Sequence, residues 1–298
     1  MDFIQCKTAE TFLVPSSNLR TYKDSSFDVS GQLREESKWS PCLYSYLKAA
    51  HYAMLGDLTQ SEREDQHQLM ESVPGLKQRI AGKSLPMEKF AIRKAERWLA
   101  QGGRLTLPGL ELVYLWNGFV VLGQHFNMVE RYYVMVEEEL ASLQGRGGKF
   151  ALEDECLLLL LKGVCLKYMS APLAAEESLR SLLRKASKES LKVDKYLVPY
   201  ATVELALLLL NNSADTEEAW TLLESAKNDY KDYSLQSRLH FRIHAAQNKL
   251  RAARDEEHDP FQEEAGEAVI NLKEQKGILL RELENCSDSQ IREMVPHI

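Results

Sequence analysis

The segment LLLLKGVCLKYMSAPLAAEESLRSLL, residues 158–183, decides the fold class of this chain. Its apolar residues recur every three or four positions on both sides of a Ser-Ala-Pro turn, which is the spacing of one face of an α-helix. Gly163 and Ala175 are small residues placed where two antiparallel helices would cross, and Leu166 and Leu179 are their large neighbours. Small residues at a crossing allow close approach, and large ones fill the flanks. The segment therefore predicts a tightly packed helical hairpin.

Two further segments have a similar arrangement, LVYLWNGFVVLGQHFNMVERYYVMV before this one and TVELALLLLNNSADTEEAWTLLESA after it. The later segment carries small and large residues at matching positions: Ala206, Leu209, Ala219, Leu223 and Ala226. The earlier one departs from the pattern, because Trp116 and Met128 stand where small residues are expected. The pattern is that of tetratricopeptide repeats. The spacing between pairs exceeds the usual period of about 34 residues, which indicates degenerate repeats.

The chain is therefore predicted to be all-α, an α-α superhelix of degenerate tetratricopeptide-like helix pairs. The pairs are expected at about 108–143, 152–187 and 196–230, followed by capping helices within 234–286. Residues 1–36 show no sustained period and predict an irregular lead-in, so that 37–298 would form one α-solenoid domain. A generic helical bundle is the alternative, but it would share the helical period without the recurring small positions.

Composition limits the function classes. The chain has 298 residues, a net charge of -7 and a pI near 5.6, so its overall charge does not favour nucleic acid or an anionic membrane. No apolar run reaches the roughly 18 residues of a membrane span, and the N-terminus MDFIQCKTAETF does not resemble a signal peptide. Five scattered cysteines favour reduced thiols. We expect a cytoplasmic protein, with the nucleus or the surface of membranes and lipid droplets as alternatives.

Four stretches carry a more specific likeness: SKWSPCLYSYLKAAHYAML (37–55), QRIAGKSLPMEKFAIRKAERWL (78–99), LELVYLWNGF (110–119) and AKNDYKDYSLQSRLHFRIHAA (226–246). Together they resemble the tetratricopeptide repeat protein 39 family, which is related to a fungal inclusion-body clearance protein. The likeness covers roughly residues 37–250. It implies a non-enzymatic helical scaffold without cofactors that acts through protein partners, in a family linked to lipid homeostasis and protein clearance.

Members of that family usually carry a long helical half before the block that SKWS begins here. The resemblance therefore implies that this chain is a shorter form or a piece of a longer one. It also implies that the helix at 38–56 exposes an apolar face which packs against that half in longer relatives.

The binding site is predicted on the first helix of each pair, because stacked pairs leave a concave groove in which extended or helical peptides dock. Counting outward from Gly163 and Ala206, the residues predicted to bind a partner are Asn117, Val121, Lys167, Tyr168, Tyr200, Val203, Leu207 and Asn211. Asn and Lys side chains would hold a peptide backbone or carboxylate, and the aromatic rings would supply contact area.

An alternative function is peripheral attachment to a membrane or lipid droplet. It would use the basic run LRSLLRKASKESLKVDK (179–195) or the last helix, EEAGEAVINLKEQKGILLRELENC (263–286). A basic run of this kind more often lies at a solvated helix end, where it interacts with the helix dipole. The polar face of the last helix is mixed and acidic, which argues against a membrane surface.

A remote alternative is a nucleotide-binding enzyme, because Gly82-Lys83-Ser84 matches the last three residues of the phosphate-binding loop motif. The first glycine of such a loop should stand at position 77, which is Lys77. A helix start explains the triplet better, with Ser84 as the N-cap, Pro86 in the first turn and Glu88 favoured by the dipole.

Two other patterns predict no site. The stretch GRGGK (145–149) fails the phosphate-loop spacing and is interpreted as a hinge between the first two pairs. His240 and His244 lie one helical turn apart, but no acidic residue stands between them and no third metal ligand is evident. We therefore expect neither a metal nor a cofactor.

Overall fold

The computed structural model describes residues 40–80, 83–143, 145, 147–186, 191–210 and 216–253. The chain divides into two compact units between Ile243 and His244, and only residues 244–253 of the second unit belong to the described part. The contacts that follow all lie in the first unit.

Eleven α-helices make up most of the described chain. They are α1 (Pro41–Leu55), α2 (Gln60–Ser72), α3 (Pro86–Ala100), α4 (Pro108–Leu115), α5 (Phe119–Leu122), α6 (Phe126–Leu143), α7 (Ala151–Tyr168), α8 (Pro172–Lys185), α9 (Leu197–Leu209), α10 (Thr216–Asn228) and α11 (Gln236–Ala253). A 3-10 turn, Val73–Leu76, follows α2. Two short antiparallel strands, β1 (Arg79–Ile80) and β2 (Lys83–Ser84), precede α3.

The hairpin of α7 and α8 confirms the predicted packing. A Cβ atom added to Gly163 would lie 2.8 Å from Leu179 Cγ and 3.4 Å from the carbonyl oxygen of Ala175. One turn earlier on α7, the Leu159 carbonyl accepts a hydrogen bond from the Ser178 hydroxyl at 2.9 Å. Contacts therefore run in opposite directions along the two helices, which makes them antiparallel, and a side chain at position 163 would crowd Leu179.

The pair α9 and α10 also follows the predicted pattern, since its five small and large marker residues are all buried: Ala206, Leu209, Ala219, Leu223 and Ala226. The first pair differs from the prediction. The first helix of the pair expected at about 108–143 breaks after Leu115, because Asn117 adopts a left-handed conformation with φ 64°. The backbone N–H groups of Asn117 and Gly118 bond back to Tyr114 and Val113, closing the helix end.

The first helices of successive pairs run in the same direction. Glu153, near the start of α7, accepts from the backbone N–H of Lys192 just before α9, at 2.7 Å. Lys167, near the end of α7, donates to Glu204 in the second half of α9 at 2.6 Å. Early residues thus contact early ones and late residues contact late ones, as stacked hairpins require. Parallel first helices and antiparallel partners give an all-α fold of tetratricopeptide-like pairs.

Two local expectations are wrong. The helix predicted at 38–56 does not present a wide apolar face, because most of α1 is buried, including Tyr44, Tyr46 and Leu47. In addition, α3 begins at Pro86 with Leu85 as its N-cap, so Ser84 is not the cap. Pro86 does occupy the first turn as predicted.

The predicted boundaries at the two ends of the chain stay predictions. The lead-in at 1–36 and the last helix at 263–286 lie outside the described residues. Of the capping helices expected within 234–286, α11 represents the first. GRGGK (145–149) falls between α6 and α7, where a connection was expected.

Candidate partner-binding surface

The eight residues predicted to bind a partner fall into three groups. Asn117 is exposed, and Val121, Lys167, Tyr168 and Leu207 are partly exposed. By contrast, Tyr200 and Val203 are 1% and 0% exposed, so their side chains belong to the core in this structure. Asn211 lies outside the described residues. The role of these eight residues in binding stays a prediction. Direct contact with a partner is not compatible with the burial of Tyr200 and Val203.

Tyr168 connects the surface of the first pair to that of the second. Its ring stacks on Phe119 of α5, with centroids 6.0 Å apart and planes 27° apart. It also covers Gly123, where an added Cβ would lie only 2.0 Å from Tyr168 Cδ1. Val121 lies between these two contacts in sequence, so the ring is anchored beside the segment that carries it. Tyr168 is a side chain held in one position.

Lys167 and Glu204 connect the second pair to the third. Glu204 is 2% exposed and also accepts a hydrogen bond from Tyr114 of α4 at 3.0 Å and from Arg242 of α11. Burial alone would raise the pKa of Glu204, but the charges and hydrogen bonds of Lys167 and Arg242 hold that pKa well below its usual range. Glu204 is therefore a carboxylate, and Lys167 is already engaged by it.

We call the exposed and partly exposed members the inter-pair surface: Asn117, Val121, Lys167, Tyr168 and Leu207. Leu207 stands three residues after Glu204 on α9, which places it on the same side of that helix. The inter-pair surface thus receives side chains from three successive first helices. Since Lys167 is paired with Glu204, an incoming carboxylate would have to compete with a buried one for its ammonium group.

A separate cluster of buried charges lies at the other end of α7 and α9. Lys94 of α3 donates to Glu111 of α4 at 2.9 Å and to Asp194 at 3.1 Å. Arg97, one turn further along α3, bonds to both Asp194 and Asp154 of α7. Burial of paired charges is stabilising only when their hydrogen bonds are satisfied. This cluster fixes the segment before α9 against α3 and α7.

The basic run predicted at 179–195 does not act as one surface. Arg180 is paired with Glu176 and Glu218, Arg184 with Glu177, and Lys185 with Glu155. Its later members, Lys192 and Lys195, are exposed and line a cavity together with residues of α3. Lys188 is outside the described residues. The sequence pattern therefore joined two groups of charges whose surroundings differ.

Arg93 and Glu96 of that cavity were missed at the sequence level. Arg93, Glu96, Arg97 and Ala100 stand at positions i, i+3, i+4 and i+7 of α3, which is one helix face, and all four line the cavity. The charged residues on this face gave a signal, but the residues opposite them, from Phe150 to Asp232, come from three segments much later in the chain.

The described residues contain no other evident site. No group of three or more His, Cys, Asp or Glu side chains among them could hold a metal ion. Burial raises the pKa of the Cys42, Cys156 and Cys165 thiols to about 12, which makes them poor nucleophiles. None of the described helices combines the length and the apolar character needed to cross a bilayer.

The fold defines a helical repeat protein of the tetratricopeptide type. Comparison with known families agrees, because residues 9–169 match the model of the Iml2/Tetratricopeptide repeat protein 39 family. The chain belongs to this family. It is 38% identical over 219 residues to the Caenorhabditis elegans protein "Tetratricopeptide repeat protein ttc-39B", an alignment that covers 73% of this chain and 36% of that protein. The chain thus matches about a third of the relative's length, and no solved structure matches it.

Proposed function

We propose that this chain is a non-enzymatic scaffold that binds a segment of a partner protein on the inter-pair surface. The observation that carries the proposal is the continuity of this surface across three helix pairs. The Tyr168–Phe119 stack links the first pair to the second, and the Lys167–Glu204 ion pair links the second to the third. A repeat protein recognises extended segments through such a series of neighbouring first helices.

The chemistry of the surface favours an apolar or aromatic anchor over an acidic one. Val121, Tyr168 and Leu207 supply partly exposed apolar area, and the exposed side chain of Asn117 can bond to a peptide backbone. The ammonium group of Lys167 lies 5.4 Å from the centre of the Tyr168 ring and is bonded to Glu204. A partner residue that packs on the Tyr168 ring keeps this pair intact, which an acidic side chain competing for Lys167 does not.

The test is affinity purification with mass spectrometry from cells that express the protein. Val121→Glu combined with Leu207→Glu replaces apolar area of the inter-pair surface with charge. Leu173→Glu is the matched control, because Leu173 is a leucine of α8 that is 82% exposed. Partners lost only from the double variant support the proposal. Partners that persist in a double variant with unchanged melting temperature contradict it.

The proposal stops at protein binding. The links to lipid homeostasis and protein clearance rest on the family resemblance, and no contact among the described residues favours them. Attachment to a membrane through the basic run is not favoured either, since Arg180, Arg184 and Lys185 are neutralised by glutamates. Three buried free thiols are compatible with the proposed location in the cytoplasm.

A further inference from the structure

A cavity of about 440 Å³ lies between the face of α3 defined above, the start of α7 and the segments that precede α9 and α11. Its volume is within the range of small-molecule sites, about 300–1,000 Å³. Four basic residues line it, Arg93, Arg97, Lys192 and Lys195, together with two acidic ones, Glu96 and Asp232. None of the five residues of the inter-pair surface takes part in it.

Two of the basic side chains have no counter-charge of their own in the part of the chain that the structure describes. Among the described residues, neither Lys192 nor Lys195 forms an ion pair, although other residues of the basic run do. Arg93 bonds to the uncharged Ser234 hydroxyl at 3.0 Å. Ammonium and guanidinium groups gathered around one cavity attract an anion, and the attraction is stronger where walls exclude water.

Arg97 forms part of the cavity wall, with its own charge already paired. Its side chain is fully buried, and its two terminal nitrogens bond to Asp154 and Asp194. Its Nε–H group, however, has no hydrogen-bond partner among the described residues. The Nε atom is itself shielded from the cavity, so a ligand there would be held by the other basic side chains.

The segment that carries the two lysines is held in place before any ligand binds. The backbone N–H of Lys192 donates to Glu153 at 2.7 Å. Asp194, which stands between the lysines, accepts from Lys94 and Arg97. Its carbonyl also accepts from the N–H of Leu197 at 3.0 Å, at the start of α9. A backbone fixed in this way reduces the entropy that ligand binding has to overcome.

We infer that this cavity binds a small phosphorylated polyol, such as an inositol phosphate. The phosphate groups would bond to Lys192, Lys195 and Arg93, and the free hydroxyl groups would donate to Glu96 and Asp232. A ligand carrying both groups accounts for the mixed lining, whereas a bare anion would meet two carboxylates. Phe150 also lines the cavity, where it would pack against the ring of the polyol. The Arg97 guanidinium lies 5.0 Å from the centre of the Phe150 ring.

The experiment is isothermal titration calorimetry with inositol 1,4,5-trisphosphate, which has three phosphates and three hydroxyls. The full chain should bind it saturably, and Lys192→Ala with Lys195→Ala should weaken binding at least tenfold. Arg184→Ala with Lys185→Ala is the matched control, because it removes the same charge from the same basic run at residues already paired with glutamates. This control should bind like the wild type.

Two results would overturn the inference. One is the absence of saturable binding up to about 1 mM trisphosphate. The other is equal weakening in both double variants, which would show general electrostatic attraction instead of a site. Glu96→Gln with Asp232→Asn tests the hydroxyl contacts. If the hydroxyl groups donate to Glu96 and Asp232, this double variant should weaken the binding of the trisphosphate but not that of inorganic phosphate.

A vesicle sedimentation experiment distinguishes a lipid headgroup from a free inositol phosphate as the ligand. Phosphatidylcholine vesicles with and without phosphatidylinositol 4,5-bisphosphate are incubated with the protein. Binding to the vesicles that contain phosphatidylinositol 4,5-bisphosphate, if it is lost in the Lys192/Lys195 variant, assigns the site to a lipid headgroup. Binding of the soluble trisphosphate alone assigns it to a free inositol phosphate. The Val121/Leu207 variant should keep trisphosphate binding, so failure of the scaffold proposal is distinguishable from failure here.

Discussion

The crossing of α7 and α8 offers the sharpest test of the fold. In Gly163→Val, the new Cβ would lie 2.8 Å from Leu179 Cγ and 2.9 Å from Cδ2, against an ordinary carbon–carbon contact of about 3.5–4.0 Å. Overpacking of this kind costs about 1–3 kcal/mol, and the better helix propensity of valine returns about 0.4 kcal/mol. We expect a net loss of about 2 kcal/mol and a melting temperature lower by about 4–8 °C.

The second half of this test is a double-mutant cycle with Leu179→Ala. Leu179 is 1% exposed, so truncating it alone should cost about 3 kcal/mol, because it leaves a cavity. If the two side chains share one space, the valine introduced at position 163 fills that cavity in the double variant. Its total loss should then be about 3 kcal/mol instead of about 5, a coupling of about 2 kcal/mol.

Urea unfolding followed by circular dichroism at 222 nm measures all three variants. Gly147→Val is the control, because nothing lies within 4 Å of a Cβ added there, and it should change stability by less than about 0.5 kcal/mol. Additive losses in the double variant would refute the close crossing. So would a Gly163→Val protein as stable as the wild type.

Two further predictions concern buried titratable groups. Glu204→Gln removes a carboxylate whose pKa in the folded state is held low, so it should cost about 3 kcal/mol of stability at pH 7, and this difference from the wild type should shrink as the pH falls below about 4. The control is Glu177→Gln, whose ion pair with Arg184 is exposed and which should cost under about 1 kcal/mol. Equal losses in the two variants would contradict the buried pair. Burial lowers the pKa of His51 to about 4, so between about pH 6.5 and 4 the unfolded chain takes up a proton that the folded chain does not. Lowering the pH over this range should therefore reduce the free energy of unfolding by up to about 3 kcal/mol. The His51→Gln variant should lose less, and parallel stability curves for variant and wild type would show that His51 is not the cause.

Local pattern was sufficient for the helix pairs. Gly163 and Ala175 revealed their crossing because the chain returns within a dozen residues, so both sides of the contact appear in one stretch of sequence. The break at Asn117 was missed for the opposite reason. The apolar period continues through Trp116 and Phe119, and only the left-handed conformation of Asn117 ends the helix.

The predicted binding residues show where register counting fails. Tyr200 and Val203 satisfy the same helical arithmetic as Leu207, but α9 packs against other helices on more than one side. The Tyr200 ring lies 6.1 Å from the Tyr114 ring of α4, and its hydroxyl donates to the Leu235 carbonyl just before α11 at 3.3 Å. A helix with neighbours on several sides buries residues that a single hairpin would expose, and the sequence of one pair does not contain those neighbours.

The four stretches that resemble the family correspond largely to the buried polar contacts that hold the pairs together. Lys94 and Arg97 belong to the second stretch, Glu111 and Tyr114 to the third, and Arg242 to the fourth; each takes part in a contact between elements distant in sequence. Such contacts demand particular residue types, because a buried charge without its partner is strongly destabilising.

The inter-pair surface, by contrast, lies mostly outside those stretches, since Val121, Lys167, Tyr168 and Leu207 fall between them. The cavity is divided: Arg93, Glu96, Arg97 and Asp232 lie within the stretches, and Lys192 and Lys195 lie between them. The likeness to the family is therefore a likeness of the scaffold, and it transfers the fold more securely than the ligand. Relatives with the same buried contacts are free to present different side chains at the inter-pair surface. The partner and the phosphorylated ligand of this chain must consequently be found by binding experiments on its own residues.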